Sequence, residues 1–437
     1  MLIGLDIRDV VLIEALDLSV GPGLTVLTGE TGGGKSIILD ALGLGLGARA
    51  GPGLLRQGRP QASAAVIFAP AADHPLWAYL EEKGFSFERD EDLVLRRQLA
   101  ADGRSRAFVN DQPASVGVLR DLGALLIEVH GQHETVGLLD ARTHRPLLDA
   151  FGGLGSGAAD VMSAWTAWKS AREQADALRQ KSGQAAAEIE ELTLRLAELD
   201  RLDPREGEET ALAEERALLG GAEKTLADIA AARAAYLEAA GRLSAARRAA
   251  GERLAQTVQA ELAPLKLDKA RFQTTVEVLT EAQAGPAGMD RVEFQVATNP
   301  GAPFGGLGDI ASGGELARFA LALKAALAGR GDGPSPVMIF DEVDQGVGGA
   351  VADAVGARLK RLAQDGQVLV VTHSPQVAAR ADAHWKVAKE ATGGADGLRT
   401  VVQVLDARAR EEEIARMLAG AEITDAARAA ARALMHA

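Results

Sequence analysis

Apolar and polar positions keep different rhythms along this chain. Up to about residue 130 they form short apolar or alternating runs broken by glycine and proline. Runs at 2–7, 13–20 and 24–27 read as strands, 37–42 opens a helix, and 64–68 is a strand again. The runs at 93–99 and 105–109 flank Ala101-Asp102-Gly103, a turn sequence that makes them a hairpin. A helix from Val116 leads into an apolar run at 125–129, read as a buried strand. From about Ala164, β-branched residues almost vanish. Leu178, Ser182, Ala185, Ile189, Leu192, Leu196 and Leu199 then alternate four and three apart, the spacing of a coiled-coil seam. Pro204 interrupts this helix, Gly220-Gly221 offers a turn, and a second helix is expected over 222–262, carrying Leu226, Ile229, Tyr236, Leu243, Leu254 and Val258. Strands return at 272–279 and 291–297, and a helix after Ser312 runs through Leu327. The run at 337–342 ends in two carboxylates, a helix covers 350–362, and 368–373 ends in Thr372-His373. The remaining chain supplies two edge-like strands and two short helices. This pattern predicts an α/β head assembled from both ends of the chain, with an antiparallel helical hairpin between them: 1–160, 161–263 and 264–437.

Composition narrows the reading. An apolar fraction of 47% is ample for a core. With no cysteine, thiolate zinc sites, disulfides and cysteine nucleophiles are excluded, and a reducing, cytoplasmic setting is expected. No apolar run reaches bilayer length, so no membrane partner is expected. A net charge of −14 argues against a protein that coats nucleic acid wholesale, though it leaves room for local basic patches. The candidates are Arg96, Arg97, Arg104 and Arg106 around the predicted hairpin, and Arg242, Arg247, Arg248 and Arg253 on the second helix. Either group could equally be a solvated face paired with nearby acids.

Chemistry concentrates at Gly29-Glu30-Thr31-Gly32-Gly33-Gly34-Lys35-Ser36, a G-x-x-x-x-G-K-S loop set between a strand and a helix. Glycines let successive N–H groups wrap a pyrophosphate, and the helix adds its positive end. Lys35 then reaches the β- and γ-phosphates of ATP, and the Ser36 hydroxyl ligates Mg²⁺. Asp341 is placed to hold the metal with Ser36, and Glu342 to orient the attacking water. His373 is placed to meet the γ-phosphate, and Gln132 to reach metal or water from a third strand end. Ser312-Gly313-Gly314 starts a helix and forms a second anion-binding device. In a head-to-tail pair of identical chains it would close on the other chain's ATP.

Gly29–Ser36, Gln132, 311–315, Asp341-Glu342, Asp344 and His373 resemble, in order, the Walker A, Q-loop, signature, Walker B, D-loop and switch histidine of the ABC ATPases. The signature ends Gly-Gly-Glu, which is similar to the chromosome-maintenance, SMC-like branch rather than to transporters. Gly33 and Ala317 replace the alanine and serine usual there, and the helical insert is short for that branch. The resemblance implies an ATPase using ATP and Mg²⁺, with Asp344 among the nucleotide-site residues. It also implies ATP-driven homodimerisation of heads on double-stranded DNA and its ends, with other recombination proteins as further partners. A transporter ATPase subunit is the alternative, but it does not explain the helical insert. A clamp that binds ATP without cycling is another. The missing cysteines exclude a zinc-hook repair ATPase.

Overall fold

The computed structural model describes residues 1–29, 34–51, 53–130, 138, 140–199, 208–310, 313–328, 337–341, 343–391, 398–420 and 422–436. They divide into two compact units. Met1–His144, Leu254–Gln273 and Phe294–Ala437 make the first, and Arg145–Arg253 with Thr274–Glu293 the second. The tip of the hairpin at 271–297 therefore groups with the long helices.

The N-terminal elements are β1 (Leu2–Val10), β2 (Ile13–Ser19), β3 (Gly23–Gly29), α1 (Lys35–Gly45), β4 (Gln61–Phe68), α2 (Leu76–Glu82), β5 (Leu93–Ala100), β6 (Ser105–Val109), β7 (Gln112–Ala114), α3 (Val116–Leu126) and β8 (Ile127–His130). After α4 (Ala141–Gly152), α5 (Gly155–Leu199) and α6 (Glu208–Leu262) come β9 (Arg271–Val278), β10 (Asp290–Ala297), β11 (Gly305–Gly306) and α7 (Gly313–Leu327). The chain ends through β12 (Val337–Asp341), α8 (Gly349–Asp365), β13 (Gln367–Val371), α9 (Pro375–Ala379), β14 (Ala383–Ala391), β15 (Leu398–Val404), α10 (Ala407–Ala419) and α11 (Asp425–Met435).

Two six-stranded sheets form the first unit. One is antiparallel, in the order β2-β1-β4-β5-β6-β7. The other runs β15-β14-β3-β13-β12-β8, with β14, β3, β13, β12 and β8 parallel and β15 antiparallel at its edge. Strands covered on both faces must be apolar at nearly every position. Thus β13 is buried throughout and β3 in all but its first residue. Ile38 and Leu42 of α1 join Ile7 and Val66 of the first sheet and Leu27, Ile339 and Leu369 of the second in one core. β9 to β11 form a small third sheet.

Two expectations are corrected. The strand at Ala383–Ala391 is not edge-like: β14 lies inside the sheet, between β3 and β15. Gly220-Gly221 makes no turn either, since α6 begins at Glu208 and runs through both glycines. Each costs a helix about 1 kcal/mol against alanine, which is little in 55 residues already committed to helix. The connection between the helices falls within 200–207, outside the described residues, as do the side chains of the predicted seam.

In the second unit α5 and α6 run antiparallel. Gly157 faces Leu243, and eleven residues later the Trp168 ring lies 5.2 Å from Tyr236. Val161, Trp168, Tyr236, Ala240 and Leu243 bury their side chains together. Beside them Arg247 is fully buried and forks between two acids, with Nη2 2.7 Å from Asp149 and Nη1 2.9 Å from Asp290. Ser244 donates to the other Asp290 oxygen at 2.7 Å. Arg247 is therefore a buried structural cation and presents nothing to a phosphate. Removing it would strand the buried Asp290 carboxylate and the half-buried Asp149, so Arg247→Met is expected to destabilise the protein by about 3–5 kcal/mol, read as a lower urea midpoint.

Candidate nucleotide-binding site

The register of the second sheet brings the predicted chemistry to one rim. Leu27 of β3 pairs with Val371 of β13, and Val371 pairs with Asp341 of β12. Phe340 pairs with His130, the last residue of β8. The chain thus leaves all four strands at the same carboxyl end, where ligands bind in open α/β sheets. Gly29, Gly34, Lys35, Ser36, Asp341 and His373 are gathered there. Glu30, Thr31, Gly32, Gly33, Gln132, Ser312 and Glu342 lie outside the described residues.

The frame of the glycine loop has two tight points. At Gly29 (φ 149°) a Cβ would sit 2.2 Å from the Val387 carbonyl oxygen of β14. At Gly34 (φ 102°), which caps α1, a Cβ would sit 2.6 Å from Thr400 Oγ1 of β15. Glycine is required at both. Lys35 is buried and its ammonium donates to the Gly29 carbonyl at 2.7 Å, so the amine already stands at the base of the loop, while Ser36 is exposed beside it. Close backbone approach, a lysine at the loop and a helix N-terminus suit a pyrophosphate.

Asp344 has a structural part at this rim. Its buried Oδ2 accepts from the Thr372 hydroxyl, from Ser374 N at 2.9 Å and from His373 N at 3.2 Å. It therefore ties the loop after β12 to the turn that presents the exposed His373. The same loop meets the signature helix: Arg318 of α7 donates to the Gln345 carbonyl at 3.0 Å, and a Cβ on Gly314 would lie 3.4 Å from both groups. Gly313 and Gly314 occupy the first turn of α7.

Two clusters were not anticipated. Lys324 of α7 pairs with Glu128 of β8 at 2.5 Å, and His130 lies 3.4 Å from Glu128 while stacking on Phe340 at 4.9 Å. Burial alone would raise the Glu128 pKa, but His130 and Lys324 bring it down to about 2. Behind β3, Thr28, His384 and Glu413 are buried and hydrogen-bonded together. Nothing in the sequence marks these contacts, because each residue is an ordinary polar residue in a helix or strand until packing encloses it.

The basic hairpin is only partly available. Residues alternate faces along a strand, and Arg97 falls on the buried face of β5, donating to Ser105 and to the Ala48 carbonyl. It is withdrawn as a phosphate contact. Arg96 lies over the Phe108 ring and pairs with Asp111, and Arg104 pairs with Asp102 at 2.5 Å. Arg106 is exposed on the same face as Arg96.

A parallel sheet gathering the ends of the glycine loop with Lys35, an aspartate and a histidine at one rim, with the helix that starts at Gly313 packed on the next loop, defines an ABC-type ATPase head carrying a helical insertion. The same architecture occurs in the Smc head domain with an extended coiled coil derived from Pyrococcus furiosus (TM-score 0.63, 20% identity, 95% of this chain and 99% of that one). It occurs also in the Smc head domain with a coiled coil and joint derived from Pyrococcus yayanosii (TM-score 0.58, 18% identity, 94% and 98%). Residues 5–395 match the RecF/RecN/SMC N terminal domain, and the chain belongs to that family, on its bacterial RecN branch. DNA repair protein RecN of Xylella fastidiosa (strain 9a5c) is 31% identical, over 100% of this chain and 99% of the relative. That of Rickettsia felis is 29% identical, over 98% and 99%. These alignments run over 558 and 550 positions, more than the 437 residues here, so the relatives carry segments with no counterpart in this chain.

The cluster behind β3 has a measurable pH signature. Burial, helped by the nearby Arg410, pushes the His384 pKa down to about 4 from an ordinary 6.5. The unfolded chain therefore takes up a proton below pH 6.5 that the folded chain refuses until about pH 4. Stability from this group is complete above pH 6.5 and is lost across that window, by about 3 kcal/mol. Urea titrations from pH 7.5 to 4 should show the loss, and His384→Gln should remove this part of the slope.

Proposed function

We propose that the chain is an SMC-like ATPase of double-strand-break repair, in which ATP drives two heads together on DNA and hydrolysis separates them. The observation that carries the reading is the alignment of Lys35, Asp341 and His373 at one rim, with the signature helix docked on the Asp344-Gln345 loop. Family membership and the long helical insertion favour it over a transporter subunit. Among the described residues no helix is long and apolar enough to cross a membrane.

Phosphoryl transfer asks a protein mainly for positioning and charge stabilisation. The 29–36 loop wraps the phosphates, and Lys35 swings from the Gly29 carbonyl to the β- and γ-oxygens. Glu342 takes hydrogen bonds from the attacking water and aims it at the γ-phosphorus. His373, held by Asp344, steadies the γ-phosphate from the opposite side. Mg²⁺, held by Ser36 and Asp341 with Gln132, would neutralise the phosphate charge. In the dimer, Ser312, Gly313 and Gly314 of one chain cap the nucleotide of the other, so ATP itself becomes part of the interface.

Sedimentation with and without ATP tests this. Glu342→Gln should bind ATP, slow phosphate release by orders of magnitude and accumulate as a dimer. Lys35→Ala should bind no ATP and stay monomeric, while Ser312→Arg should bind ATP yet fail to dimerise. Wild-type-like dimerisation of Ser312→Arg would refute the cross-capped site, and fast turnover by Glu342→Gln would refute the role of Glu342. A non-cycling clamp would show no multiple turnover in the wild type.

DNA contact is assigned to the face bearing Arg96 and Arg106, with Arg104 at its turn. Phosphate contacts release counterions, each steepening the log–log salt dependence of binding by about 0.9. Weak, sequence-independent duplex binding at low salt is expected to strengthen with ATP, because two heads then present their patches together. Reversing Arg96 and Arg106 to Glu should shallow the anisotropy salt slope by about two and leave ATP affinity unchanged. An unchanged slope would move the DNA path elsewhere.

A further inference from the structure

The cluster behind β3 contains more hydrogen-bonding capacity than the packing of α10 requires. Glu413, buried on α10, accepts from Lys386 Nζ at 2.7 Å on Oε2, and from Arg416 at 2.9 Å on Oε2 and 2.6 Å on Oε1. Those two cations satisfy the carboxylate by themselves. Thr28 nevertheless reaches it, with Oγ1 3.3 Å from Oε1, while His384 Nε2 of β14 lies 2.8 Å from the same hydroxyl. A carboxylate ionised by two cations can only accept, so the Thr28 O–H donates to Glu413. Its lone pair is then left to accept from His384, which places the ring proton on Nε2. The result is a directed chain, His384 to Thr28 to Glu413, anchored at both ends in the C-terminal part of the sequence and centred on Thr28, the last side chain before the phosphate loop.

The next residue makes that position consequential. Gly29 follows Thr28 immediately, its carbonyl holds the Lys35 ammonium at 2.7 Å, and the Val387 carbonyl of the same β14 leaves no room for a Cβ on it. The orientation of this one peptide thus places both the start of the loop and the amine at its base. We propose that Thr28, oriented by Glu413 and His384, is a positioning residue for the phosphate loop. By this route α10 sets the affinity of the head for pyrophosphate-bearing nucleotides. The inference rests on reading 29–36 as the nucleotide site. Thr28 touches no nucleotide and acts only through the Gly29 peptide and Lys35.

Thr28→Val keeps the shape of the side chain and leaves Glu413 paired with Lys386 and Arg416. Thr28→Ser keeps the hydroxyl. Fluorescent ATP and ADP titrations at 25 °C, beside nucleotide-free thermal unfolding, separate the possibilities. The expected result is about tenfold weaker binding of both nucleotides by the folded Thr28→Val protein, the scale of one buried hydrogen bond, with affinity restored in Thr28→Ser. Glu413→Gln, still able to accept from the hydroxyl, should weaken binding less than Thr28→Val. A Thr28→Val protein that unfolds at a lower temperature but binds ATP as wild type would make the chain purely structural and overturn the inference. Failure of Thr28→Ser to restore binding would overturn it as well. Wild-type protein that takes up no ATP would overturn both this inference and the reading of the site, whereas wild-type uptake matched by Thr28→Val overturns this inference alone.

Discussion

The position of β3 between two parallel neighbours is the constraint on which the rest of the head depends. β3 comes from the first thirty residues, while β13 and β14 beside it come from beyond residue 366. Parallel strands cannot be joined by a tight turn, so the chain must travel far before it can flank β3. Everything between, including both long helices, lies on that path. Once the neighbours are seated, the register carries Leu27, Val371 and Asp341 to one level, and loops from distant parts of the sequence share one rim.

That frame also explains where glycine is indispensable. The loop begins where β3 runs against the Val387 carbonyl and ends where α1 starts against Thr400, so both of its ends are walled by the C-terminal strands. A side chain at Gly29 would have to displace the backbone of β14, and one at Gly34 would meet the buried Thr400 side chain in a left-handed backbone conformation. The polar cluster under Thr28 completes the wall. There the buried Glu413 carboxylate is paired with Lys386 and Arg416 and accepts from Thr28, so the charge is compensated where it is enclosed.

The root of the helical insertion is tied to the same machinery. The last turns of α6 belong to the first unit, where Glu261 receives Arg358 at 2.7 Å and Arg361 at 2.8 Å from α8. α8 follows the Asp344 loop directly, and that loop carries both the turn presenting His373 and the Arg318 contact to the signature helix. The loop beside the nucleotide rim and the root of the arm therefore meet on one helix.

Much of this was legible in the residues themselves. Strand and helix types follow from apolar period and length, and the strand–loop–helix setting of Gly29 to Ser36 follows from local glycine and apolar spacing, because both are properties of neighbours in sequence. The α/β class and the rim chemistry at Asp341 and His373 rest on the same local signals. What depended on distant contacts was not legible. The pattern that makes Ala383–Ala391 a strand carries no mark of whether it lies at an edge or inside a sheet. Gly220-Gly221 has turn composition, yet it sits in a helix held by its length and by packing at its base. Arg97 and Arg247 are charged residues of the kind that usually face water, and only the face of β5 and the pairing with Asp149 and Asp290 put them inside. Glu413 reads as a surface acid, and the sequence places Asp344 at the nucleotide site without showing that folding turns its carboxylate onto the Thr372 hydroxyl and the backbone after β13. Sequence determined the local conformations and the chemistry available at each loop. Tertiary structure alone decided which polar groups lost their water, because burial is a property of what packs against a residue and not of the residue.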